Sequence, residues 1–231
     1  MLINIINNYH FQHTIGTATG QYIYIKGVSS QNQVARLLSP VISVDAGSGA
    51  RCEMIMHYHM LGDHIGKLAV YTRSGIGGIE RQLFNRTREA GDYWERVRIS
   101  ISNEPDPFQV VIEGATGTGI FGDIALDDIV FTPGCKLNET GSLVSQTTPT
   151  TSTTSSLCRP GEFYCASTAN CISSSLVCNF VFDCADQSDE LNCGTCDFEH
   201  GPCGWFDKSD NKFIWSVQQA PSPYFGGPQY D

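Results

Sequence analysis

The first part of the chain alternates between apolar and polar residues in short runs that glycine and asparagine interrupt. From Tyr22 to Cys135 these runs include QYIYIKG, RCEMIMHYHMLG, KLAVYTRSG, ERVRISIS, FQVVIEG and IALDDIVF. An alternation with a period of two places successive side chains on opposite faces of a strand. Runs of this length and spacing predict an antiparallel β-sandwich, with Cys52 and Cys135 as its disulfide pair.

The stretch VVIEGATGTGIFGD contains Gly117-x-Gly119-x-x-Gly122, a spacing also found in nucleotide-binding loops. A phosphate site of that kind needs a helix directly after the glycines, because the helix N-terminus holds the phosphate. Here the next residues, DIALDDIVF, alternate like a strand and end at Pro133-Gly134. The motif is therefore interpreted as a glycine-rich turn between two strands.

The composition of the chain changes after residue 135. Residues 136–157 are rich in Ser and Thr and contain little to bury, which predicts an extended, O-glycosylated spacer. Residues 158–193 contain six cysteines, and residues 196–231 are rich in aromatic residues and contain the pair Cys196 and Cys203.

Charge and cysteine content restrict the class of protein. The net charge of −10 argues against a nucleic-acid partner and is compatible with calcium binding. Eight of the ten cysteines lie between Cys158 and Cys203, which favours an oxidising, extracellular compartment. Cys193-x-x-Cys196 has zinc-finger spacing, but no second such pair exists, so disulfides are favoured over zinc.

Two sequons fit a secretory route. The sequons at Asn85 and Asn138 are candidate glycosylation sites. The sequence has no apolar run of eighteen residues, and its start, MLINIINNYH, lacks the pattern of a signal peptide. We therefore expect a piece of a larger secreted or membrane-anchored protein.

A unit as short as residues 158–193 needs cross-links or a metal ion, because it is too small to form a sufficient apolar core. Its pattern is Cys158-x4-Phe163-x-Cys165-x5-Cys171-Ile172-x5-Cys178-Asn179-x3-Asp183-Cys184-x-Asp186-x-Ser188-Asp189-Glu190-x2-Cys193. This pattern resembles the LDL-receptor class A repeat along its whole length. The resemblance implies the disulfides Cys158–Cys171, Cys165–Cys184 and Cys178–Cys193, one of fifteen connectivities that the spacing alone leaves open.

The same resemblance implies one bound calcium ion as the cofactor. The implied ligands are side-chain oxygens of Asn179, Asp183, Asp189 and Glu190 and the backbone carbonyls of Leu176 and Val181. Three carboxylates crowded on one short loop repel one another unless a cation holds them. Asp186 is interpreted as an accessory acid that accepts hydrogen bonds.

The repeat departs from the family at the positions that bind a partner's lysine. Ligand-binding repeats carry a tryptophan two residues before the fourth cysteine and acids at the first, third and fifth positions after it. Here these positions hold Leu176, Asn179, Val181 and Asp183. Leucine offers no aromatic face to the ammonium group, and two acids are lost. We expect no lysine capture of the usual kind.

The fourth part contains Cys196-Asp197-Phe198-Glu199-x3-Cys203-Gly204-Trp205, followed by Phe213-x-Trp215 and Gly226-Gly227-Pro228. The first part contains Tyr58-His59-Met60-x-Gly62, Gly66-Lys67-Leu68-Ala69-Val70-Tyr71, the lone Trp94 and Gly122-Asp123-Ile124-Ala125-Leu126-Asp127-Asp128-Ile129. Both parts resemble the MAM domain, a jelly-roll β-sandwich. The expected organisation is a MAM domain without its first strands (1–135), the linker (136–157), the class A repeat (158–193) and the start of a second MAM domain (196–231).

The two MAM-like parts are complementary. The first part lacks the first strands of the domain, and residues 196–231 resemble only the start of such a domain. One hypothesis is that residues 196–231 dock onto the first part as a permuted sandwich, within one molecule or exchanged between two. Docking would bring Glu199 near Asp127 and Asp128 and complete a second cation site. The competing hypothesis assigns residues 196–231 to a separate domain. His57 and His59 share one face of a strand, but no third metal ligand is visible.

The resemblance to MAM and LDL-receptor class A domain-containing proteins implies a non-catalytic extracellular interaction protein. It would be membrane-anchored or secreted and would bind an extracellular protein or adhesion partner, with homophilic or tail-mediated association as one form. Two alternatives stay open. The region would be a targeting arm if a protease domain followed it, as in enteropeptidase or meprin, or it would be part of an endocytic receptor.

Overall fold

The computed structural model describes residues 20–25, 33–45, 50–74, 78, 80–101, 103–104, 107–119, 121–138, 158–159, 162–165, 168–173, 176–177, 183–186, 188–189, 194–199, 201–210, 213–219 and 228. Residues 139–157 of the predicted linker and most of the residues after Gln219 lie outside this set. Strands dominate the described residues. They are β1 (Gln21–Ile25), β2 (Val34–Leu38), β3 (Ile42–Val44), β4 (Glu53–Leu61), β5 (Ile65–Ser74), β6 (Glu80–Arg86), β7 (Gly91–Ser100), β8 (Phe108–Thr116), β9 (Asp123–Phe131), β10 (Cys135–Leu137), β11 (Glu162–Tyr164), β12 (Cys171–Ser173), β13 (Gly194–Cys196), β14 (Phe206–Asp207) and β15 (Ser216–Gln219).

The first sheet is built around β9. Its order is β15-β1-β9-β4-β7, and all of its strand pairs are antiparallel. β4 pairs along one edge of β9, while β1 and β13 lie end to end along the other edge. The registers on that edge are Ile23 with Leu126 and Cys196 with Ile129.

The second sheet is built around β8. β5 pairs along one edge of β8 from Ser74 to Ile65, and β2 and β3 pair along the other edge. β14 extends the sheet beyond β2, β10 extends it beyond β3, and β6 extends it beyond β5. Lys136 and Leu137, which were predicted to belong to the linker, pair with β3 as part of a strand instead. The predicted mainly-β sandwich is thereby confirmed.

One apolar core fills the space between the two sheets. It takes every second residue of β4, including Met54, Met56 and Met60, and fully buried residues of β8 such as Phe108 and Ile112. Successive side chains of a strand point to opposite faces of its sheet, so every second residue of each strand faces this core. Cys52 and Cys135, the disulfide pair expected for the sandwich, are bonded in the structure.

Residues from Gly194 to Gln219, which we call the C-terminal segment, contribute strands to both sheets. β13 pairs with β9 and β15 pairs with β1 in the first sheet, and β14 pairs with β2 in the second. Of the two hypotheses for residues 196–231, the structure shows docking onto the first part within one chain.

The glycine-rich stretch is a turn between β8 and β9, as its sequence predicts. A Cβ atom at Gly117 would lie 2.4 Å from the carbonyl oxygen of His64, and one at Gly119 would lie 2.6 Å from the His64 ring. These contacts are shorter than van der Waals distances, so the turn needs glycine in order to pack against His64.

A charged network crosses the second sheet. Arg36 on β2 bonds Glu113 on β8 at 2.9 Å and Glu80 on β6 at 2.6 Å, and Lys67 on β5 bonds Glu113 at 2.6 Å. Burial raises the pKa of Glu113, but the hydrogen bonds from Lys67 and Arg36 outweigh it and leave the pKa lowered. Glu113 is therefore held as a carboxylate that links neighbouring strands.

Candidate calcium-binding and interaction site

The class A module is organised by a hairpin and disulfides. β11 and β12 form a separate two-stranded sheet in which Phe163 pairs with Ile172. Two of its expected disulfides, Cys158–Cys171 and Cys165–Cys184, are present. The third, between Cys178 and Cys193, falls outside the described residues. Cys165 and Cys184 are each 1% exposed, so this bond takes the place of an apolar core.

Asp189 is the most informative of the predicted calcium ligands. Its side chain is 1% exposed, and its Oδ2 accepts a hydrogen bond of 2.7 Å from the backbone N–H of Asp183. Burying a carboxylate is costly unless hydrogen bonds or a cation compensate for the lost hydration. A buried, oriented carboxylate in an acidic loop fits a hard divalent cation that prefers oxygen ligands.

The other predicted ligands are only partly visible. Asp183 is exposed and Leu176, expected to offer its carbonyl, is half-buried. Asn179, Val181 and Glu190 lie outside the described residues. The structure thus places three of the six predicted ligands in the module.

Asp186 has the accessory contacts expected for it. Its Oδ1 accepts hydrogen bonds from the Ser188 backbone N–H at 3.2 Å and from the Ser188 hydroxyl at 2.7 Å. Asp186 also lies near Cys165 and Cys184, and Glu162 lies near Cys158 and Cys171. The sulfurs in both groups belong to disulfides, so neither group offers the thiolates that would bind a soft metal.

The module packs directly on the sandwich. Val177, next to the calcium-ligand position Leu176, is 4% exposed and forms a cluster with Ile55 of β4 and Val130 of β9. Phe163 and Ile172 of the module's hairpin pack against the same cluster. Ile55 alternates with the core residues of β4, so this contact lies on the outer face of the first sheet.

The same outer face carries His57 and His59, which are both buried. Nε2 of His59 lies 3.2 Å from Oδ1 of Asp92, and its ring meets the Trp94 ring edge-on at 5.7 Å. Burial lowers the pKa of His59, and Asp92 opposes this effect only partly. His57 Nδ1 lies 3.9 Å from Asp128 Oδ2. Among the described residues, neither histidine joins a group of three metal ligands.

Asp127 and Asp128 form a β-bulge in the middle of β9. Asp128 has a φ of 46°, its backbone N–H donates to Oδ1 of Asp127 at 2.8 Å, and the register with β4 shifts there. Aspartate tolerates this left-handed conformation better than most residues. The sequence contains a sign of this bulge. The core residues Leu126 and Ile129 are three positions apart, whereas residues on one face of a regular strand are two positions apart.

Glu199, predicted to share a second cation site with this pair, contacts the start of β1. Its Oε1 accepts a 2.6 Å hydrogen bond from the backbone N–H of Gln21, at the start of β1. Among the described residues, the carboxylates of Glu199, Asp127 and Asp128 do not lie close enough together to form a group of three metal ligands. Glu199 therefore links the C-terminal segment to β1. The second cation site stays a prediction.

Aromatic residues of the C-terminal segment enter the core of the sandwich. Phe198, Trp205, Phe213 and Trp215 are each at most 6% exposed. Trp215 lies over Gly114 of β8, where an added Cβ would come within 2.9 Å of the indole and 2.3 Å of Ile25. The sandwich thus has a glycine where the segment places one of its two tryptophans. The segment's own disulfide, Cys196–Cys203, is present.

The two sequons differ in accessibility. Asn85 is exposed on β6, an edge strand of the second sheet. Asn138 is half-buried, and its backbone N–H donates to the carbonyl of Val41 at 2.8 Å. Asn85 is therefore the more accessible acceptor for a glycan.

Two known protein families match successive parts of the chain. The family model of the MAM domain, meprin/A5/mu, matches residues 7–136, more than half of the chain. The chain belongs to the MAM domain family. A second family model, the low-density lipoprotein receptor domain class A, matches residues 156–193. No second MAM domain is matched, and in the structure the C-terminal segment is part of the first MAM sandwich.

Two similar curated proteins match the residues of the MAM sandwich. MAM domain-containing glycosylphosphatidylinositol anchor protein 1 of Gallus gallus is 34% identical over 122 residues, which are 52% of this chain and 12% of that protein. The corresponding protein 2 of Mus musculus is 37% identical over 128 residues, 52% of this chain and 13% of that protein. The MAM protein described here thus spans about one eighth of the length of these relatives. No helix among its described residues has the length and hydropathy of a membrane span.

Proposed function

We propose that this MAM protein is a non-catalytic extracellular interaction protein of the adhesion type. Its partner would be another extracellular protein, and its net charge of −10 disfavours a nucleic acid. The buried titratable groups on the sandwich support a structural role. His59 is paired with Asp92, His57 lies near Asp128, and Glu113 links strands through Arg36 and Lys67.

The observation that carries the proposal is the direct packing of the class A module on the sandwich. Val177, Ile55 and Val130 form one buried cluster, although each of the two parts is closed by its own disulfides. Two small disulfide-closed modules held against each other form an extended surface of fixed shape. Such a surface is suited to binding another macromolecule.

Calcium is the cofactor that this proposal assigns to the class A module. When bound, the ion would neutralise the crowded carboxylates and replace an apolar core in ordering the loop. Asp183 and Asp189 would supply side-chain oxygens and Leu176 its carbonyl, with Asn179, Val181 and Glu190 completing the set. Because Val177 adjoins Leu176, ordering of the loop would also fix the contact with the sandwich.

The proposed location is outside the cell, either secreted or held at the membrane. Its disulfides are typical of proteins that pass through an oxidising compartment. The relatives are named as glycosylphosphatidylinositol anchor proteins, which supports a cell-surface location for this chain. We propose that Asn85, and also Asn138, carry glycans.

Calorimetric titration of the whole chain tests the calcium assignment. We expect binding of one calcium ion at or below millimolar concentration, and we expect Asp189→Asn to weaken it about tenfold or more because a buried carboxylate ligand is lost. Asp210→Asn, an exposed acid of the C-terminal segment, is the matched control and leaves binding unchanged. Absence of calcium binding by the disulfide-bonded protein would refute the assignment.

Adhesion of coated beads tests the interaction function. Beads that carry the native chain are expected to bind intact cells in calcium and to lose this binding in a chelator. Beads that carry reduced and alkylated protein serve as the control, since they present the same composition without the fold. Equal binding by both preparations would contradict a role for the folded surface.

A further inference from the structure

The C-terminal segment is held in the sandwich by contacts alone. Its strands pair with β9, β2 and β1, and its polar contacts include Gln21 N–H to Glu199, Arg36 N–H to the Ser209 hydroxyl at 3.0 Å and Lys208 N–H to the Arg36 carbonyl at 2.8 Å. None of the four described disulfides joins the segment to the sandwich. The segment can therefore leave the sandwich without breaking a covalent bond.

The ten cysteines fall into two groups, one on each side of the Ser/Thr-rich linker. Cys52 and Cys135 lie before the Ser/Thr-rich linker, and the other eight lie between Cys158 and Cys203, after it. Among the described disulfides, none therefore crosses from residues 20–138 to the residues that follow the linker. Residues 139–157 are the connection between them.

The sandwich depends on the segment, because an empty site would expose core surface. Phe198, Trp205, Phe213 and Trp215 are buried in it, and β9 and β1 would lose pairing partners on removal of β13 and β15. Exposed apolar surface and unpaired strand edges favour capture of a matching strand. Gly114, which makes room for Trp215, fits this particular segment.

A second copy of the chain carries the same segment and the same site. We propose that two copies exchange the part from Cys158 to Gln219, so that each sandwich is completed by the C-terminal segment of its partner. This inference rests on the proposed adhesive function and names its partner as a second copy. The contacts would be identical within one chain and between two, so concentration decides between them. Copies held at high local density favour exchange.

Cross-linking between register partners tests the proposal on the whole chain. Gln21 of β1 and Gln219 of β15 face each other. A ¹⁵N-labelled Gln21→Cys variant is mixed at high concentration with an unlabelled Gln219→Cys variant. The mixture is partly unfolded for a short time at a urea concentration where unfolding just begins. It is then returned to buffer without urea under mild oxidation. Mass spectrometry without reduction then counts dimers of one labelled and one unlabelled chain, linked between positions 21 and 219.

We expect this mixed dimer to exceed by about tenfold the dimer formed by Gln21→Cys with Arg81→Cys, since Arg81 is exposed on β6, away from β1, and reports random collision. The double variant Gln21→Cys/Gln219→Cys is expected to close within one chain at low concentration. Exchange is refuted if the double variant forms this disulfide within one chain while the mixed dimer is no more abundant than the dimer of the Gln21→Cys and Arg81→Cys variants.

A second pair of register partners provides an independent check, in case a substitution at Gln21 or Gln219 prevents folding. Tyr24→Cys with Ser216→Cys joins the same two strands and must give the same result. If neither double variant closes, β15 does not dock on β1, and the proposal is also refuted. An interaction protein with a different partner survives both negative results, because the bead assay needs no exchange.

Discussion

Trp205 of the C-terminal segment stacks on Phe131 of β9, with ring centroids 6.1 Å apart and the ring planes inclined by 12°. The two residues are 74 positions apart in the sequence, beyond the linker and the class A module. Both rings border a small cavity of about 110 Å³ that Pro40 and Leu137 also line. This contact fastens the segment to the end of β9, next to the Cys52–Cys135 disulfide.

Trp205→Ala is therefore expected to destabilise the whole sandwich. Loss of a buried indole costs about 3–5 kcal/mol of unfolding free energy, and the existing cavity would be enlarged. Urea denaturation followed by the remaining tryptophans measures the change. Phe206→Ala is the control, because Phe206 follows Trp205 in the sequence but is 45% exposed. Removal of its ring should cost under about 1 kcal/mol of unfolding free energy. Equal effects of the two substitutions would mean that the segment does not dock.

Gly114→Val tests the fit between Trp215 and β8. The added side chain would collide with the indole and with Ile25, and overpacking of this kind costs about 1–3 kcal/mol. In a Trp215→Ala background the same substitution should cost less, because the space left by the indole accepts it. A double-mutant cycle on unfolding free energies measures this coupling. Strictly additive effects would show that Trp215 does not occupy the space above Gly114.

Much of the sandwich was predictable from the alternation of apolar residues. β4 and β8 coincide with runs in which every second residue is apolar, and β9 follows the same pattern except at its bulge. β8 and β9 flank the predicted glycine-rich turn. β2 was not predicted, because its residues VARLL include Ala, Arg and Leu, which favour helices. Pairing of Val34–Leu38 with β8 overrides that local preference.

The candidate site was predictable in its chemistry but not in its setting. The acidic loop and its cysteines follow from the resemblance of one short pattern. The contact of Val177 with Ile55 and Val130 does not, because a single valine in a small module gives no sign of the surface that it meets. For the same reason, the hydrogen bond from the Gln21 backbone N–H to Glu199 was not predictable from the sequence.

Val177→Asp is expected to release the class A module from the sandwich while leaving the sandwich folded. A carboxylate among Ile55 and Val130 would be desolvated, and undocking avoids that cost. Hydrogen exchange at the amides of β4 and β9 near the contact should increase, and the radius of gyration from X-ray scattering should rise. Ser173→Asp, at an exposed position of the same module, is the control. Unchanged exchange in Val177→Asp would contradict the docked arrangement.

Acidification is expected to destabilise the sandwich through His59. Burial lowers the pKa of this side chain in the folded protein, and the nearby Asp92 opposes the shift only partly. In the unfolded chain the histidine titrates near its ordinary pKa of about 6.5. Below that pH the unfolded state takes up a proton that the folded state resists, so the unfolding free energy falls as the pH drops from about 7 toward the lower folded pKa.

Urea denaturation at a series of pH values should show this decline, and His59→Phe should make it shallower. Asp92→Asn should make it steeper, because the charge that favours protonated His59 is removed. Identical slopes in wild type and His59→Phe would mean that His59 is not the group responsible.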